Sequence, residues 1–101
     1  MARSFVGLGS NEGDRLAMLS GAVQRLAACE GIRVVQLAPI YETEPVGGPA
    51  QDPFLNTVVE IDTALEPPQL LQSLKRIEQE LGRTPSSQRW GPREIDLDIL
   101  L

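Results

Sequence analysis

The residues of this chain best suited to chemistry crowd into its last thirteen, Arg89 to Leu101. From Glu94 onward apolar and acidic residues alternate, the period of a half-buried strand. Ile95, Leu97, Ile99 and Leu101 would face a core, and Glu94, Asp96 and Asp98 the opposite side. Residues two apart on a strand are roughly 6.6 Å apart along the backbone. At an effective dielectric near 20, two carboxylates at that separation repel by about 2.5 kcal/mol. A cation between them removes that cost. Two carboxylates plus substrate phosphates is a usual way of holding Mg²⁺. Arg89, Trp90 and Arg93 stand just before, around a turn at Gly91 and Pro92. Two guanidiniums, an indole and two carboxylates together offer phosphate clamps, a stacking surface and metal ligands. Taken alone, an Asp-x-Asp pair is equally a solvated acidic strand face; the basic run beside it favours a polyphosphate site.

Charge is distributed to match. The chain carries a formal −5 over 101 residues, which argues against general nucleic-acid binding. Yet Lys75, Arg76, Arg83, Arg89 and Arg93 face only Glu78 and Glu80 between 75 and 93, so five positive charges against two negative leave about +3 there. A small polyanion chelated to a metal suits such a patch better than a long polymer. With no His and only Cys29, neither an internal disulfide nor a Cys/His metal site can be built. A lone thiol points to the cytoplasm, and no apolar run approaches a membrane span.

The elements that must position this site read in order as follows. Ser4 to Leu8 is a short strand, and Gly7 to Asn11 reads as turn chemistry closing it. Asp14 or Asn11 caps a helix with an apolar stripe at Leu16, Leu19, Val23 and Leu26. Ile32 to Leu37 begins a second strand, continuing towards Tyr41. Glu42 to Pro53 holds three prolines and two glycines, a long loop of the kind that serves as a lid. Phe54 to Ile61 forms the third strand. Pro67 and Pro68 open a second helix with a stripe at Leu70, Leu74, Ile77 and Leu81, stopped at Gly82. A second flexible stretch, Arg83 to Gln88, leads to the terminal strand. The expected fold is α+β: a ferredoxin-like βαββαβ, with two helices on one face of a four-stranded antiparallel sheet. An RNA-recognition module shares that topology and needs exposed aromatics on its central strands, but the chain holds only four aromatics in all and a net negative charge. A non-catalytic ligand-binding module shares it too, but gives no reason for paired aspartates beside paired arginines.

The run Arg89, Gly91, Pro92, Arg93, Asp96, Leu97, Asp98, Ile99, Leu100 resembles the signature of the 6-hydroxymethyl-7,8-dihydropterin pyrophosphokinases of folate synthesis. The Gly9-Ser10-Asn11 run, the loop at Thr43 to Pro45 and the strand start at Phe54 to Asn56 are similar to that family as well. The resemblance implies transfer of pyrophosphate from MgATP to 6-hydroxymethyl-7,8-dihydropterin, giving AMP and the pterin pyrophosphate. It implies two Mg²⁺ ions with ATP, held by Asp96 and Asp98, and catalytic roles for Arg83, Arg93, Asp96 and Asp98. Thr43, Pro45, Val46, Phe54 and Asn56 would bind the pterin; Glu78, Arg83, Trp90, Arg93 and Ile99 would face ATP. Read singly, Phe54 reads first as a core residue and Asn56 as a strand-end cap; their position straight after the long loop brings the binding reading level with these. Pro85 stands where many members carry a second Arg, so one phosphate contact is expected to differ. The expectation is one pyrophosphokinase domain over 1–101, monomeric and cytoplasmic, without nucleic-acid or membrane partners and lacking the family's C-terminal third.

Overall fold

A computed structural model of the chain describes residues 1–11, 13–43, 53–82 and 95–100. In chain order they form β1 (Ala2–Ser10), α1 (Arg15–Ala28), β2 (Ile32–Leu37), β3 (Tyr41–Thr43), β4 (Phe54–Thr63), α2 (Pro67–Glu80) and β5 (Asp96–Ile99). The sheet order is β2-β4-β1-β5, with β3 also on β4, and every pairing is antiparallel. This is the split arrangement of the ferredoxin-like class, with a correction. The expected second strand is two strands, which makes five.

Pro39 explains the division. It lacks an N–H for the ladder and restricts Ala38 before it, so β2 stops at Leu37. β2 pairs with the far half of β4 (Ile32 opposite Thr63) and β3 with the near half (Tyr41 opposite Asn56). Across the gap the Ala38 amide donates to Val58 O at 2.9 Å and the Thr57 hydroxyl to Ala38 O at 2.8 Å. A bulge at Val35 adds a further register shift.

Alternation on β1 and β4 puts Val6, Leu8, Val59 and Ile61 on one face, where both helices pack. Leu19, Ala22 and Leu26 of α1 and Leu70, Leu74 and Ile77 of α2 close that core, with Ile32, Ile95 and Leu97. Each fully buried Leu or Ile contributes about 1.5–3 kcal/mol. Leu16, expected on the α1 stripe, is exposed; Ala22 takes the place because 19, 22, 23 and 26 share one face. Asp14, not Asn11, caps α1, its carboxylate accepting from the Ala17 amide at 3.1 Å. On α2 the prolines sit in the first turn and Gly82 follows the helix at φ +102°.

The opposite face of the sheet carries no described helix. Its far end holds an ionic cluster: Arg3 donates to Asp62 at 2.6 Å and to Glu60, and Arg33 donates to Asp62 at 2.9 Å. The Arg3 guanidinium first, and then that of Arg33, holds the Asp62 carboxyl below its ordinary value.

Candidate active site

The near end of the open face is hollow, and two glycines make it so. The sequence places Gly7 and Gly9 in a turn, but the structure extends β1 through both of them. Neither has a positive φ, so conformational freedom is not the reason for glycine here. Gly9 lies between Asn56 of β4 and Asp96 of β5, and Gly7 between Val58 and Asp98. A Cβ on Gly9 would stand 3.1 Å from Asn56 Oδ1 and 3.5 Å from Phe54 Cδ1. On Gly7 it would stand 3.4 Å from the side chain of Leu100. Missing side chains in the middle of a sheet leave a trough with walls from the flanking strands.

That trough is a cavity of about 350 Å³, within the range of small-molecule sites. One wall is acidic, with Asp96 and Asp98 projecting from β5. The other combines the Phe54 ring with Asn56, Thr43 and Tyr41. Pairing sets this wall: Tyr41 opposes Asn56 and Thr43 opposes Phe54, so all four share the open face. The Asn56 amide donates to Thr43 Oγ1 at 2.7 Å, which fixes the amide and leaves Oδ1 above Gly9. An aromatic face beside an oriented amide suits a flat, hydrogen-bonding heterocycle. Two carboxylates on one strand face suit a hard cation carrying phosphate oxygens.

β5 is held at the edge of the sheet by α2. Glu78 is 5% exposed and accepts the Leu97 amide at 2.8 Å. Leu97 sits between the two aspartates, so this bond fixes the strand that presents both. Glu78 therefore lies on the helix side of the sheet. Ile99 also lies away from the trough, opposite Val6, and lines a separate groove with Met1 and Leu70. Of the other expected site residues, Thr43, Phe54, Asn56, Asp96 and Asp98 meet in one cavity. Pro45, Val46, Arg83, Trp90 and Arg93 lie outside the described residues, as do the lids expected in Glu42 to Pro53, apart from its ends, and in Arg83 to Gln88. Tyr41, Gly7 and Leu100 line the cavity without having been anticipated. Alternation from Thr43 back to Tyr41 was the available signal for the first.

An α+β sheet of ferredoxin-like topology with an open-face trough, acidic at one side and aromatic-amide at the other, defines a small-molecule cleft. Comparison with known proteins makes the family specific. The family model described as 7,8-dihydro-6-hydroxymethylpterin-pyrophosphokinase (HPPK) matches residues 5–101. A Methylorubrum extorquens protein named 2-amino-4-hydroxy-6-hydroxymethyldihydropteridine pyrophosphokinase is 54% identical over 100 residues, covering 99% of this chain and 63% of its own. Proteins of the same name from Bacillus subtilis and Porphyromonas gingivalis are 50% and 45% identical, over 97% and 100% of this chain and 58% and 69% of theirs. The chain belongs to the HPPK family. It spans 58–69% of the length of these relatives.

Proposed function

We propose that the trough is the substrate cleft of a pyrophosphokinase that transfers pyrophosphate from ATP to 6-hydroxymethyl-7,8-dihydropterin, giving AMP and the pterin pyrophosphate in folate synthesis. The observation that carries this reading is the facing of two walls across Gly7 and Gly9: paired carboxylates on β5, an aromatic and an oriented amide on β4. The names of the relatives support the same reaction.

The pterin lies against Phe54 with its edge towards Asn56 and Thr43, and Pro45 and Val46 would contribute to its binding as the resemblance to the family implies. Its hydroxymethyl group then points along the floor towards β5. ATP approaches from the β5 side, its phosphates met by Arg83 and Arg93 and its base by Trp90, with Glu78 and Ile99 on the strand and helix behind. Asp96 and Asp98 are two hard oxygen ligands, and phosphate oxygens and water would complete the coordination of a cation held by them. That is the ordinary manner of Mg²⁺. Asp96 and Asp98 would hold Mg²⁺, two ions with ATP, which would supply charge neutralisation while the pterin hydroxymethyl oxygen bonds to the β-phosphorus and the bond from that phosphorus to the AMP oxygen breaks. Phosphoryl-type transfer asks the protein mainly for positioning, and a rigid sheet face provides it. The chain acts as a cytoplasmic monomer in this reading, without nucleic-acid or membrane partners; among the described residues no helix is long and apolar enough to cross a membrane.

The test is to incubate the protein with ATP, Mg²⁺ and 6-hydroxymethyl-7,8-dihydropterin and to follow AMP and the pterin product by chromatography. The matching binding experiment titrates each ligand separately. Failure of the pterin to bind at all, at concentrations where relatives of full length are saturated, would overturn the assignment of the cleft.

A further inference from the structure

Arg15, the first residue of α1, makes a contact that neither the core nor the cavity requires. Its Nη1 atom donates to the carbonyl of Pro53 at 2.8 Å and stands 2.9 Å from Glu42 Oε2. Glu42 precedes Thr43, the last residue of β3, and Pro53 precedes Phe54, the first residue of β4. One guanidinium nitrogen thus ties together the two chain ends next to the pocket wall. Glu42 pairs with Leu55 on the face opposite to the cavity, the face where α1 lies. Arg15 therefore reaches these ends from beneath the sheet and is not among the residues that line the cavity.

We propose that Arg15 is a positioning residue for the ring-binding wall, setting the separation and register of Thr43 and Phe54. This rests on the reading of the trough as the pterin cleft. β3 has three residues, all exposed, and an edge strand of that length holds itself weakly. The backbone of Arg15 is by contrast fixed, since Asp14 caps the helix and Leu19, Ala22 and Leu26 bury it. The tie thus transfers the rigidity of α1 to a strand that lacks its own. The carbonyl contact is the stronger half, being charge-assisted and partly buried, whereas Glu42 is more than half exposed and its ion pair is screened. A guanidinium suits the task because two N–H groups on one nitrogen serve two acceptors.

The test uses Arg15→Met, which keeps the stem and removes the donors, with Arg15→Lys and Glu42→Gln beside it. Amide hydrogen exchange on the ligand-free protein reports the tie directly, and separate titrations with 6-hydroxymethylpterin and MgATP report its use. For Arg15→Met, exchange across 41–43 and 54–56 rises about tenfold and the pterin Kd weakens about tenfold, while the MgATP Kd stays within about twofold. Arg15→Lys recovers part of both changes, and Glu42→Gln moves either by about twofold at most. Unchanged exchange in Arg15→Met overturns the tie. Equal loss of both ligands, or faster exchange spread over β1 and all of β4, overturns the positioning role in favour of general stability. If the parent binds no pterin, the reading of the cleft fails and the positioning role with it; the exchange data then report only whether the brace exists.

Discussion

Replacing Glu78 separates what α2 does for the site from what it does for the fold. Its carboxylate is buried and receives the Leu97 amide at 2.8 Å from an edge strand whose other side is already paired with β1. Glu78→Ala leaves that N–H without its acceptor, which costs about 1–3 kcal/mol. The lost methylene packing adds about 1 kcal/mol. The sum is a loss of about 2–4 kcal/mol, which lowers the melting temperature of a domain this size by on the order of 10–30 °C. Glu78→Gln keeps an oxygen acceptor in the same place and should cost about 1 kcal/mol or less. Thermal melting of parent and both variants, followed by MgATP titration below their melting points, provides the comparison. A Glu78→Ala protein that melts within a degree or two of the parent would show that the bond does not hold β5. A Glu78→Gln protein with parental melting but lost nucleotide binding would instead place the carboxylate in direct contact with ATP.

The remaining predictions concern the cleft and the ionic cluster. Gly9→Ala should weaken pterin binding about tenfold and lower melting by a few degrees at most, since the usual gain of about 0.4–1 kcal/mol is offset by a Cβ 3.1 Å from the hydrogen-bonded Asn56 amide; parental affinity in a fluorescence titration would mean the floor has slack. Asp96→Asn and Asp98→Asn should each remove Mg²⁺-dependent nucleotide binding in calorimetry while the domain remains folded, and undiminished binding by either would refute the metal assignment. Asp62 favours its carboxylate more strongly when folded, beside Arg3 and Arg33. Its stabilising effect is therefore complete above the ordinary carboxylate value, about pH 4, and fades as pH falls through the lower native value. Asp62→Asn should flatten the dependence of melting temperature on pH below about 4, and an unchanged slope would show that the cluster is not coupled to folding.

Much of this architecture was written in local pattern. The stripe from Leu70 to Leu81 and the alternation from Ile95 to Ile99 each matched one geometry, and the structure follows them. Pro39 was equally visible, but hydrophobic continuity from Ile32 to Tyr41 outweighed it, and the strand break went unread. The two glycines were misread for a related reason. In a sequence, glycine suggests a turn; only the β4 and β5 partners on either side show that the missing Cβ matters and φ does not. Asp96 and Asp98 were legible because both belong to one strand. The Glu78–Leu97 and Arg15–Pro53 bonds join residues 19 and 38 positions apart, and no local period carries such information.

The break at Pro39 has a consequence for how this cleft could diversify. β4, ten residues long, serves as a common rail for two independent pieces of edge. On β2, Ile32 enters the core, so substitution there is constrained by folding. On β3, Tyr41, Glu42 and Thr43 are all exposed and none belongs to the core, while two of them line the cavity. Substitutions at 41 and 43 can therefore reshape the cavity wall at little cost to folding. Such a division makes one short ribbon of the cavity wall adjustable while the residues that build the core stay as they are.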